Sequence, residues 1–103
     1  MKYLFVYYGR AAESEEERAA GMQAMAAWFG RMGKAVVDGG NPFTGAAKTV
    51  TSSGVTDGPI GELPTGYSIL EAGSMAAATE MAKASPLLKS GRQISVLEIL
   101  KAM

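Results

Sequence analysis

The segment Lys2 to Tyr8 is apolar on both of its faces. In an extended chain successive side chains alternate, so Leu4, Val6 and Tyr8 share one side and Tyr3, Phe5 and Tyr7 the other. A strand of this kind has to be covered twice. A chain of 103 residues makes one domain, spanning 1–103, with few layers to spend. Helices can cover one face, and a second copy of the chain is the economical cover for the other.

The remaining elements follow from local signals. Ser14 followed by Glu15, Glu16 and Glu17 reads as a capping box opening a helix from about Glu15 to Met32. Met22, Met25, Phe29 and Met32 recur on it at helical spacing, which predicts a core stripe with Ala26 and Trp28 at its edges, and Gly33 suits the cap after the last turn. Lys34 to Asp38 reads as a short strand. Lys48 to Ser52 and Val55-Thr56, flanking Ser53-Gly54, read as a small hairpin or as one strand and a turn. Tyr67 to Ala72 is the next strand, Ser74 caps a second helix that stops near Ser85-Pro86, and Gln93 to Leu100 is the last strand. The order β-α-β, hairpin, β-α-β suits an α+β fold: a ferredoxin-like antiparallel sheet with two helices on one face.

Composition excludes whole classes of chemistry. Ten Lys plus Arg balance ten Asp plus Glu, so the basic excess that phosphate binding requires is missing and no direct nucleic-acid partner is expected. With no His and no Cys there is no disulfide, thiolate, imidazole base or Ser-His-Asp triad. No metal is expected, since carboxylates alone at these spacings form no evident oxygen cage, and no cofactor motif is present. The opening segment is too short, and too soon interrupted by Gly9-Arg10, for a signal peptide or a membrane span, so a cytoplasmic location is the expectation.

The groups left to carry function are few. Asp57, in Thr56-Asp57-Gly58-Pro59, has two open readings: an acceptor closing its own turn, or a general acid or base. Arg18, counted at 100° per residue from Met22, falls in the apolar arc, where it either orients an anionic ligand or lays its stem on apolar surface with its head in solvent. Glu62 reads as a solvated loop carboxylate. Tyr3, Tyr7, Tyr8, Tyr67 and Trp28 offer amphipathic rings for a pocket or for an interface between subunits.

In this order of elements the chain resembles the YCII-related family, in particular the branch marked by a Val-Thr-Asp-Gly-Pro-Phe (DGPF) motif. The residues that carry the resemblance are the opening Met-Lys-Tyr, Trp28, Gly33, Gly40, Asn41-Pro42, Val55-Thr56-Asp57-Gly58-Pro59 with Ile60 in place of Phe, Glu62, Gly66-Tyr67, Ser74, Ala77, Ala82 and Pro86. The resemblance implies a dimeric α+β barrel in which two ferredoxin-like subunits pack sheet against sheet. It also marks what is missing. The His and Asp proposed as a catalytic pair in the wider family would fall near Met22 and at Ser85. The loop from Glu62 to Gly66 lacks the family's Lys-Glu, and Leu97-Glu98 stand where relatives often have Arg-Pro.

The leading expectation is therefore a homodimer that binds a small molecule through Tyr7, Arg18, Trp28, Asp57 and Tyr67, without the family's proposed pair. Whether it is also an enzyme stays open. One alternative is a cofactor-independent lyase or isomerase acting on a small phenolic or lactone compound, with Asp57 as acid or base. The resemblance suggests another, an interaction module associated with a sigma factor.

Overall fold

A computed structural model of the chain describes residues 1–10 and 12–101. Ala11, Ala102 and Met103, which the single domain expected from the sequence over 1–103 includes, lie outside the described residues. In chain order the elements are β1 (Lys2–Tyr8), α1 (Glu15–Met32), β2 (Val36–Asp38), β3 (Lys48–Thr51), β4 (Gly54–Asp57), β5 (Gly66–Glu71), α2 (Met75–Lys83) and β6 (Gln93–Ile99), with 3₁₀ turns at Gly33–Ala35 and Pro86–Ser90. Four strands form one sheet in the order β2-β5-β1-β6, all neighbours antiparallel, and β3 and β4 pair separately. The fold is α+β and ferredoxin-like, as the element order implies.

The register sorts the two faces of β1. Tyr3 lies opposite Leu70 and Glu98, Phe5 opposite Ser68 and Val96, and Tyr7 opposite Gly66 and Ile94. This is the inner face, and Tyr3, Phe5, Tyr7 and Leu70 are buried there with Trp28 of α1 and Ala78 and Ala82 of α2. Both helices therefore cover the same side. Trp28 stacks on Phe5 at 6.2 Å and on Phe29 at 5.3 Å, and its indole N–H donates to the Met81 carbonyl at 3.1 Å, tying α1 to α2.

The outer face carries Leu4 opposite Ile69 and Leu97, Val6 opposite Tyr67 and Ser95, Tyr8 opposite Gln93, and Lys2 opposite Glu71 and Ile99. Among the described residues no helix packs on it. Leu97 is exposed, while Leu4, Val6, Tyr8, Tyr67, Ile69 and Ile99 are half-buried by their own neighbours in the sheet.

The helix caps form as the sequence indicates. Ser14 Oγ accepts from the Glu17 N–H at 3.1 Å, and Ser74 Oγ accepts from the Ala77 N–H at 3.1 Å. The side chain of Glu17 reaches back one residue further than a capping box requires, accepting from the Glu13 N–H at 3.2 Å.

The methionine stripe is displaced from its expected position. Trp28, placed at the stripe's edge, is the only buried residue of α1, with Met25, Phe29 and Met32 partly buried around it, whereas Met22 is 69% exposed. The bulkiest side chain takes the centre of the face, and the helix turns about it until Met22 points to solvent. Arg18, one turn before Met22, turns outward with it.

After β2 the chain leaves the sheet. Phe43 N–H donates to the Thr65 carbonyl at 2.8 Å, Pro42 bridges Gly66, and Gly58 N–H donates to the Ala47 carbonyl at 2.9 Å. These bonds continue the β2–β5 ladder outward into the β3–β4 ribbon, so the ribbon is an arm on the sheet rather than an independent hairpin. Gly40 makes the departure possible: it has φ +76°, and a Cβ there would lie 1.7 Å from the Tyr67 carbonyl oxygen. The arm widens the molecule to 45 × 41 Å against a thickness of 19 Å.

Candidate functional site

The five residues singled out in the sequence do not converge on one site: Tyr7 and Trp28 share the core, while Arg18, Asp57 and Tyr67 stand apart from it and from one another. Tyr7 lies on the inner face, only 6% exposed. Its hydroxyl donates to Ser68 Oγ at 2.7 Å, and Ser68 donates in turn to the Gly39 carbonyl at 2.8 Å. Burial pushes the Tyr7 phenol up to about 12, only partly countered by the Ser68 bond, so at neutral pH it is a protonated structural donor. Trp28 is 1% exposed and belongs to the core.

Tyr67 is on the opposite, outer face. Its hydroxyl reaches Asp38 Oδ2 at 3.4 Å and its ring stacks on Phe43 at 5.8 Å. Arg18 stands at the surface with Glu15 3.5 Å away, so of its two readings the solvent-facing one describes its head. Asp57 ends β4, with an 88% exposed side chain ion-paired to Lys48 directly across the ribbon. It is neither an acceptor closing its own turn nor an acid held in a cavity.

The positions of the missing pair are equally plain. Met22 faces solvent, and Ser85, 3% exposed, caps the following 3₁₀ turn by accepting from the Leu87 N–H at 3.3 Å. Neither position presents an ionisable group to a pocket.

Two open cavities flank the root of the arm. One, of about 490 Å³, lies at the Tyr8 end of the outer face and is lined by Tyr8, Ile60, Gly61, Glu62, Gln93 and Ser95. The other, of about 390 Å³, lies between the legs of the arm and is mostly apolar, with Phe43, Ala46, Val50, Pro59, Ile60 and Leu63 among its walls. Ile60 borders both and is 86% exposed.

The first cavity combines a phenol, an amide, a hydroxyl and one carboxylate, without a Lys or Arg in its lining. Such a set hydrogen-bonds hydroxyl and amine donors, and its single negative charge disfavours anions. Its polar groups come from β1, the loop after β4 and β6. Gln93 and Ser95 were not singled out in the sequence, although their alternation with Leu97 and Ile99 along β6 places all four on the outer face. Among the described residues there is no group of three or more side chains of metal-binding type, and no helix is long and apolar enough to cross a membrane.

Comparison with known proteins bears on the fold. No family model matches the sequence, and no curated protein does. Among solved structures, the chain is similar to 5-chloro-2-hydroxyhydroquinone dehydrochlorinase (TftG) from Burkholderia phenoliruptrix AC1100, whose structure is a complex with 2,5-dihydroxybenzoquinone. The TM-score is 0.64 at 19% identity, over 97% of this chain and 94% of that one. At that identity the likeness shows the fold alone, an α+β subunit with an antiparallel sheet and two helices.

Proposed function

We propose that the protein is a homodimeric domain that binds a small hydroxylated ring compound at the Tyr8 end of its outer sheet face. The observation that carries this reading is the outer face itself. Leu4, Val6, Ile69 and Leu97 form an apolar surface without a covering helix, and it ends in the polar cavity of Tyr8, Glu62, Gln93 and Ser95. The charges along its strands are few: Lys2 and Glu71 lie opposite each other at the far end, and Asp38 on the edge strand holds its carboxylate against the Tyr67 hydroxyl, so the middle of the face offered to a second copy is apolar. Packing two such faces together removes Leu97 from water and narrows the open side of the cavity.

The class of ligand is supported by the cavity's donors and acceptors and by the ring compound held by the structurally similar dehydrochlorinase. Neutral hydroquinone suits a cavity containing Glu62 better than 2,5-dihydroxybenzoquinone, an acid ionised at neutral pH. Calorimetric titration with both compounds tests this. The reading expects saturable binding of hydroquinone, weakened at least 10-fold by Gln93→Leu, and weaker binding of the quinone. Absence of hydroquinone binding, or equal binding by Gln93→Leu, contradicts it.

A second reading, a cofactor-independent lyase or isomerase for a phenolic or lactone compound, has the same fold likeness behind it. In that case Glu62, the carboxylate in the cavity wall, takes the acid-base role considered for Asp57. Turnover of a chlorinated hydroxyhydroquinone that is abolished by Glu62→Gln favours the enzyme over the binding domain.

A further inference from the structure

The arm is the least accounted-for part of the molecule. Every residue of β4 is exposed, and in β3 only Thr49 is half-buried. Neither strand packs extensively on any element but the other. A two-stranded ribbon is marginal in water without further cover, yet this one displays apolar side chains. Val50 and Val55 are directly opposite on it, 73% and 61% exposed, and at its root stand Phe43, Ile60 and Leu63, at 45%, 86% and 42%.

These residues continue the outer face of the sheet. The Phe43 ring stacks on Tyr67, which is on that face opposite Val6, so an apolar path runs from β1 through Tyr67 and Phe43 to the groove at the arm's root. The ion pair across the ribbon, Lys48 with Asp57, is neutral as a unit. Whatever covers the arm therefore meets the same kind of surface as whatever covers the sheet.

Area decides what that cover is. A sheet seven residues long and four strands wide has a flat footprint of roughly 440 Å² at ~3.3 Å per residue and ~4.8 Å per strand. The edge strand β2 has only three residues, which makes the footprint smaller still. A stable interface of standard size takes about 800 Å² of accessible surface from each partner, well above this flat footprint, so a sheet-to-sheet dimer gains from surface beyond the sheet.

We propose that the β3–β4 arm supplies it: the interface between two copies of this chain extends from the outer sheet face onto the arm, with Val50, Val55 and Ile60 seated against the other copy. This rests on the sheet-to-sheet dimer above and adds to it. Because Ile60 walls both cavities, the polar cavity is then complete only when the partner is in place.

The test is sedimentation equilibrium on the wild type and on Val50→Lys/Ile60→Lys, whose altered residues are too exposed for the change to unfold the domain. Hydrogen exchange on the wild type across a dilution series is read alongside. The double variant is expected to raise the dimer dissociation constant at least 10-fold with unchanged circular dichroism, and residues 48–57 are expected to lose protection in step with dissociation. A wild-type dimer whose dissociation constant the double variant leaves unchanged, or whose arm exchanges equally fast at every concentration, overturns the arm's role and leaves the sheet dimer standing. A wild type that is monomeric throughout overturns the dimer itself, and the arm's role with it. Full protection of the arm in a monomer points to another occupant, such as a small apolar ligand, and also overturns the proposal.

Discussion

Tyr7 and Ser68 face each other inside the core, hydroxyl to hydroxyl at 2.7 Å, and Ser68 passes the chain of bonds to the Gly39 carbonyl at the end of β2. The relay stitches β1, β5 and the start of the arm together where the chain leaves the sheet, and among the described residues no buried side-chain polar atom lacks a partner. Ser68→Ala leaves both the Tyr7 hydroxyl and the Gly39 carbonyl without that partner. It should cost about 1–3 kcal/mol in urea unfolding, whereas Tyr7→Phe, which leaves Ser68 bonded to Gly39, should cost nearer ~1 kcal/mol. The reverse order contradicts the relay.

The same phenol sets a pH dependence. Its value is raised from 10.0 to about 12 by burial. Below pH ~10 both folded and unfolded chains keep the proton and stability is at its full value. As pH rises from there towards ~12, only the unfolded chain ionises, and stability falls. Burial, with Glu98 hydrogen-bonded at 3.0 Å, raises Tyr3 in the same direction. Urea unfolding at pH ~9 and ~11.5 should show a smaller alkaline loss for Tyr7→Phe than for the wild type; equal losses contradict the assignment.

Gly40 is where backbone meets backbone. Gly40→Ala places a methyl group against the Tyr67 carbonyl at a positive φ, and neither can yield without moving β5. We expect a loss of at least ~2–4 kcal/mol, read as a fall in Tm. Gly30→Ala, with open space around its Cβ and an ordinary φ, should be neutral or stabilising.

Charge removal at the two surface ion pairs should do little. Arg18→Ala and Asp57→Asn are expected to change stability by under ~0.5 kcal/mol and to leave hydroquinone binding intact, since both groups stand in solvent beside Glu15 and Lys48. A 10-fold loss of binding in either variant returns that residue to the site.

What could be read from the sequence divides along physical lines. The strands, both helices and their caps depend on local alternation and on Ser14 and Ser74, and the fold class followed from their order. The rotation of α1 did not, because Trp28 and Met22 both fit an apolar stripe and only the packing of Trp28 on Phe5 and Phe29 selects between them. Arg18 lies outside the buried arc for the same reason, since that arc is centred on Trp28 and not on Met22. The cavity at Tyr8 was hidden because its walls come from β1, the loop after β4 and β6, which only the register of the folded sheet brings together. Tyr7 and Tyr67 illustrate the converse: two tyrosines in paired strands share a site only if they share a face, and theirs are opposite.

If a second copy covers the outer face of the sheet, the chain is a dimer in solution. Light scattering at micromolar concentration tests it most directly. A mass twice the 10.7 kDa of one chain is expected, falling towards one chain on dilution and in Leu4→Lys. A folded species of 10.7 kDa that stays monomeric at every concentration, with Leu4, Val6 and Leu97 facing water, contradicts it.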